Sequence, residues 1–146
     1  MKAKLLLTLF LSFSLSVFSQ DHKEKRDQIK ALKVSFLTTE LNLTSDESAK
    51  FWPVYNNYEE KEYQIRHDKM RSIIKKIDQA GNTLTEKDAN AYLTQLQEAE
   101  EELLALRKKM VTELKPIIGA VKVIKMQKAE FDFKRKLLSK YRDKKK

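Results

Sequence analysis

Apolar residues recur at three- and four-residue steps along most of this chain, set among Lys, Glu, Gln and Thr, and that period predicts helices rather than strands. Ile29, Leu32, Phe36 and Leu43, flanked by Leu37 and Leu41, predict one amphipathic helix over roughly residues 23–41. Asn42 is suited to end it in the left-handed conformation. Thr44 with Glu47 forms a Thr-x-x-Glu capping box that starts the next helix. This second helix carries Trp52, Tyr55, Tyr58 or Glu59, Glu62, Arg66, Met70, Ile73 and Ile77 on one side, with Phe51 and Tyr63 off it, and stops at Ala80-Gly81-Asn82. Pro53 lies too far in to be an N1 proline, so a kink is expected beside Trp52.

Leu84, Thr85 and Asp88 resemble a second staple and cap. The helix they start carries Ala89, Leu93, Leu96, Leu103, Met110 and Leu114 on a heptad-like, coiled-coil seam, interrupted by Glu100 and Arg107 and widened by Tyr92, Ala99 and Leu106. Lys115-Pro116 is expected to end it, with Ile117-Ile118-Gly119 as a short apolar bend. A last helix then runs from about Ala120 to Tyr141. It has Val121, Ile124, Phe131 and Leu138 on one line and Met126, Phe133, Leu137 and Tyr141 on another. Residues 142–146, Arg-Asp-Lys-Lys-Lys, have no apolar face and read as a disordered basic tail.

Only two glycines, two prolines and no cysteine occur in 146 residues, of which 35% are charged. So little turn chemistry fits an all-α fold of about four helices, stabilised by packing alone. The N-terminus differs from the rest. Lys2 and Lys4 precede an apolar run from Leu5 to Val17, shorter than the roughly 20 residues that span a bilayer, and small or branched residues end at Ser19. Residues 1–19 therefore read as a signal peptide cleaved near Ser19, leaving one helical domain, 20–141, and no transmembrane anchor. Setting aside Lys2 and Lys4, 28 basic residues stand against 21 acidic ones. An exported basic protein meets acidic lipid, polysaccharide or protein, and the same export signal argues against a nucleic-acid partner.

Enzymatic machinery finds no support in the sequence. There is no cysteine nucleophile, His22 and His67 lie far apart, and glycines at 81 and 119 alone build neither a phosphate loop nor a dinucleotide fingerprint. No cofactor is expected. His67 and Met70, at i and i+3, are weak metal candidates together with His22, short of the about four ligands that a closed site needs. Phe51, Trp52, Tyr55 and Tyr58 suit either a packed core or a sticky surface for polypeptide, and Lys134 and Arg135 suit electrostatic steering.

The segment Leu43-Thr44-Ser45-Asp46-Glu47 resembles the Leu-Thr-x-x-Gln motif of the Spy/CpxP family of small periplasmic stress proteins, with Glu47 where the family has Gln. The likeness is closer to a Bacteroidota-type branch labelled sensors of ECF-type sigma factors. Phe51-Trp52-Pro53-Val54-Tyr55-Asn56 and Lys128 to Leu138 carry it, and Leu43, Thr44, Glu47 and Pro53 form its structural motif. The resemblance implies a bent, extended helical hairpin in the periplasm, commonly a homodimer, that binds unfolded or partner polypeptide. Such a protein serves envelope stress as a chaperone-like accessory or as a sensor, and signalling would need a membrane-spanning regulator as partner. A metal-responsive sensor and a structural helical dimer without client are the alternatives.

Overall fold

A computed structural model describes residues 23–143. The expected signal peptide, residues 1–19, the candidate ligand His22 and the last three residues of the expected basic tail, 144–146, lie outside the described residues. Helix accounts for 96% of the structure, and no strand occurs among the described residues. Helix α1 covers 23–41, α2 Ser45–Tyr63, α3 Arg71–Ala80 and α4 Glu86–Asp143. A π-helix, Gln64–Met70, joins α2 to α3 without a break, and a 3-10 turn, Gly81–Thr83, follows α3.

The chemistry of each boundary explains it. Asn42 takes φ 44 and releases the chain from α1. Thr44 Oγ1 accepts from the Glu47 N–H at 3.2 Å while the Thr44 N–H donates to Glu47 Oε2 at 2.8 Å, so two otherwise free N–H groups are satisfied reciprocally. Gly81, at φ 48, ends α3. Thr85 Oγ1 accepts from the Asp88 N–H at 3.1 Å and opens α4.

Both prolines lie inside helices. Helix α2 passes through Pro53 and keeps α geometry to Tyr63. Pro53 and Ala49, whose carbonyl loses its usual partner, are both exposed, so water can substitute there. Pro116 does not end a helix: it sits inside α4, and the non-helical residue is Gly119, at φ 76 and ψ 158. Leu114 and Ile118 are buried on either side of Pro116, and their burial offsets the lost hydrogen bond. Helix α4 is thus two helical stretches that meet at a kink at Gly119, the last residue of the expected bend and three residues after Pro116.

The described residues divide into two compact units. The first unit comprises 23–42 and 126–143. Leu37, Leu41, Met126, Ala129 and Phe133 are its buried side chains, and the Phe36 and Phe133 rings meet at 5.7 Å. Lys136 Nζ lies 4.6 Å from the centre of the Phe36 ring, and Lys33 Nζ lies 5.8 Å from that of Phe133. The apolar stripe of α1 is therefore turned from its expected line, with Leu37 and Leu41 at its centre and Leu32 exposed.

The second unit, Leu43–Lys125, buries Phe51, Tyr55, Tyr58, Ile65 and Ile73 from the helices before Gly81, and Ala99, Met110, Leu114, Ile118 and Val123 from α4. Phe51 stacks on Tyr55 at 5.2 Å, and Trp52 meets both edge-on at 4.9 and 5.8 Å. From Tyr58 to Ile65 the buried line advances by one heptad, but from Ile65 to Ile73 it needs one residue more. The π-helix between them supplies that residue, because its i→i+5 bonds, such as Arg71 N–H to Arg66 O, widen the turn.

Candidate functional site

The candidate grooves lie in the second unit, along the π-helix. Side chains of α2 and the π-helix stand over α4 and leave two open grooves. One, of about 280 Å³, is lined by Tyr58, Glu62, Arg66 and Met70 on one wall and Glu100, Leu103, Leu104 and Arg107 on the other. Its floor is the buried Tyr58 ring, and Met70 and Leu103 are half-buried beside it. Leu104 stands 53% exposed at the edge. The second groove, of about 370 Å³, runs from Asp68, Lys69, Ser72, Ile73 and Lys76 to Gln95, Glu98, Ala99 and Glu102. Buried Ile73 and Ala99 line it, and Lys69 pairs with Glu102.

Local structure decides which side chains reach these walls. An uninterrupted α-helix presents one face at heptad spacing. The extra residue of the π-helix re-aims the side chains after it, so Arg66 and Met70 serve the first groove while Asp68, Lys69 and Ser72 serve the second. The rims mix signs. Arg66 Nε holds Glu62 Oε1 at 2.9 Å in the first groove, where Glu100 and Arg107 are also exposed. These are surface pairs in high dielectric, each contributing little to stability. Their arrangement suits a chain with apolar side chains and charges of both signs.

The capping box has a third partner. Lys122 Nζ lies 2.6 Å from Glu47 Oε2, and both side chains are about three-quarters shielded from solvent, at 26% and 22% exposure. Hydrogen bonding to Lys122 and to the Thr44 N–H holds the Glu47 carboxyl below its ordinary value of 4.5, against the opposing effect of desolvation. A glutamine at 47 closes the box equally well but cannot form this ion pair. Glu47 therefore binds the start of α2 to the part of α4 beyond Gly119.

Of the core and surface readings open for the aromatic group, burial assigns three of the four rings to the core. Phe51, Tyr55 and Tyr58 are 0%, 1% and 4% exposed, so they are core side chains, and only Trp52 is half-buried. Phe51, expected off the packed side, is its most enclosed ring because it stacks on Tyr55 one turn later. Tyr58 alone reaches a groove. Lys134 and Arg135 are exposed and belong to the first unit. His67 is exposed, stacks on Tyr63 at 4.6 Å and accepts from Arg71 Nη1 at 3.0 Å, while Met70 turns into the first groove. Among the described residues no group of three or more His, Cys, Asp or Glu is placed to hold a metal ion, and no polar or charged side chain is buried.

Leu103, Leu104, Glu100 and Arg107 were not among the expected binding residues. Their signal in the sequence was the charge interruption of the apolar seam at 100 and 107, one heptad apart, which marks the rim of the groove. A scan against protein-family models finds no match to this chain, and comparisons with curated proteins and with solved structures find none either.

Proposed function

We propose that this is an exported, non-catalytic polypeptide-binding protein of the Spy/CpxP type. Its setting in this reading is the periplasm, as an envelope-stress sensor linked to an ECF-type sigma-factor pathway or as a chaperone-like accessory. The observation that supports it best is the first groove: an apolar floor of Tyr58, Met70 and Leu103, an exposed Leu104, and rims bearing both signs of charge. Apolar side chains of a partly unfolded client would settle on that floor, and Glu62, Arg66, Glu100 and Arg107 would meet its charged neighbours.

The residues Leu41 to Thr44 with Glu47 and Phe51 to Asn56, and Lys128 to Leu138, support the family reading, and the bent four-helix hairpin and the homodimer belong to the same proposal. No helix among the described residues is long and apolar enough to cross a membrane, so signalling in this reading passes through a membrane-spanning regulator. The test is anisotropy titration of a labelled, unfolded apolar peptide with residues 20–146 and with Leu104→Asp. Binding that weakens at least about tenfold in the variant, with helicity unchanged, is the expected result. Equal binding by both forms excludes the groove, and no binding by either excludes the function.

A further inference from the structure

The last turns of α4, within the first unit, present a face that the polypeptide-binding reading does not use. Phe131 and Leu138 are 66% and 71% exposed, and their heptad spacing aligns them along the helix. Around them stand Lys128, Lys134, Arg135 and Arg142, all exposed. On the helical wheel the carboxylates nearest the line through Phe131 and Leu138 among residues 126–142 are Glu130, about a quarter-turn away, and Asp132, somewhat further. Asp132 is turned back onto Lys128 and Arg135, at 2.5 and 3.2 Å, yet those two cations keep 76% and 71% side-chain exposure. The sequence adds Lys144, Lys145 and Lys146.

We propose that this face docks the protein onto an anionic lipid surface, with α4 lying in the plane of the interface. Two large apolar side chains flanked on both sides by long cationic ones match an interfacial helix: Phe131 and Leu138 enter the headgroup boundary while the Lys and Arg stems extend along it and keep their charges at the phosphates. Charge complementarity selects the occupant. A second copy would bring the same cations against each other. Two side chains also cover far less than the roughly 800 Å² per partner of a stable protein interface, whereas adsorption to lipid adds a contribution from each basic residue, roughly fivefold in partitioning apiece.

The test is vesicle co-sedimentation of residues 20–146, which include every described residue, with vesicles of phosphatidylglycerol and phosphatidylethanolamine and with neutral phosphatidylcholine vesicles. Binding to the anionic vesicles alone, lost at high salt, is expected. The double variant Phe131→Ser, Leu138→Ser and the double variant Lys134→Glu, Arg142→Glu should each bind at least about tenfold more weakly. Leu93→Ser, an exposed apolar position of the other unit, should bind like the parent. Circular dichroism confirms that the variants stay helical. Equal binding to neutral vesicles, indifference to either double variant, or tighter binding to an acidic amphipathic peptide than to anionic vesicles would overturn the proposal. Because the groove variant Leu104→Asp should bind vesicles normally, this proposal and the polypeptide-binding reading fail independently.

Discussion

Replacing Gly119 by Ala tests the bend in α4 with opposite signs for opposite outcomes. At φ 76 and ψ 158, Gly119 occupies a region that L-residues avoid because Cβ crowds the neighbouring backbone. A methyl group there would meet no atom within 4 Å, so no packing clash contributes. The cost is backbone strain alone, about 1–3 kcal/mol. For a chain of this size that lowers Tm by roughly 4–12 °C. Thermal and urea unfolding followed by circular dichroism at 222 nm measures it, with Ala105→Gly on the exposed face of α4 as a calibrating loss of about 0.5–1 kcal/mol. If Gly119→Ala instead stabilised the protein by about 0.4–1 kcal/mol, the usual gain where alanine fits, the positive φ and with it the bend would be refuted.

Other perturbations rest on named contacts. Phe51→Ala should cost about 3–5 kcal/mol, because the ring is fully buried and stacked on Tyr55, and more than Trp52→Ala; the reverse order in urea denaturation would contradict the packing. Thr44→Ala should cost about 0.5–2 kcal/mol by removing the acceptor at the start of α2, read from the same melts. Glu47 has a folded-state pKa below its unfolded one, so its stabilisation is full above the ordinary value of 4.5 and is lost as pH falls through the lower folded value. Glu47→Gln keeps a capping side chain but not the ion pair, so its Tm should fall less than the parent's as pH is lowered from about 6 to 3. Leu104→Asp, at an exposed position, should change stability by no more than about 0.5 kcal/mol while weakening peptide binding.

Local chemistry was legible wherever one short stretch decides the outcome. Asn42, Thr44 with Glu47, Gly81 and Thr85 with Asp88 satisfy or release backbone groups within a few residues, and each acts where the sequence places it. Tertiary packing decides the rest. Proline at 116 carries a strong local penalty, yet Leu114 and Ile118 are buried on either side of it, so the helix passes through and yields at Gly119, the last residue of the bend the sequence predicts. No sequence signal marks Gln64–Met70 as a π-helix, because the extra residue is demanded by the alignment of Ile65 and Ile73 within the core. That shift hid the groove, since heptad counting assumes one helical period throughout. Adjacent Phe51 and Trp52 are both plausible core residues by composition, and only the stacking on Tyr55 distinguishes them.

Glu47 illustrates how one residue joins both levels. Its backbone role is readable from Thr44 three residues before it. Its partner Lys122, 75 residues away, is not. The ion pair makes the acid more than a substitute for glutamine, since the same carboxylate caps α2 and holds a cation beyond the Gly119 bend.

The most direct measurement of the central claim is hydrogen exchange of residues 20–146 with and without a permanently unfolded, reduced and alkylated client protein. The polypeptide-binding account predicts slowed exchange in the π-helix Gln64–Met70 and in the turns of α4 bearing Glu100 to Arg107. Unchanged exchange in both segments at a client concentration that saturates binding, or no detectable client binding, would contradict it.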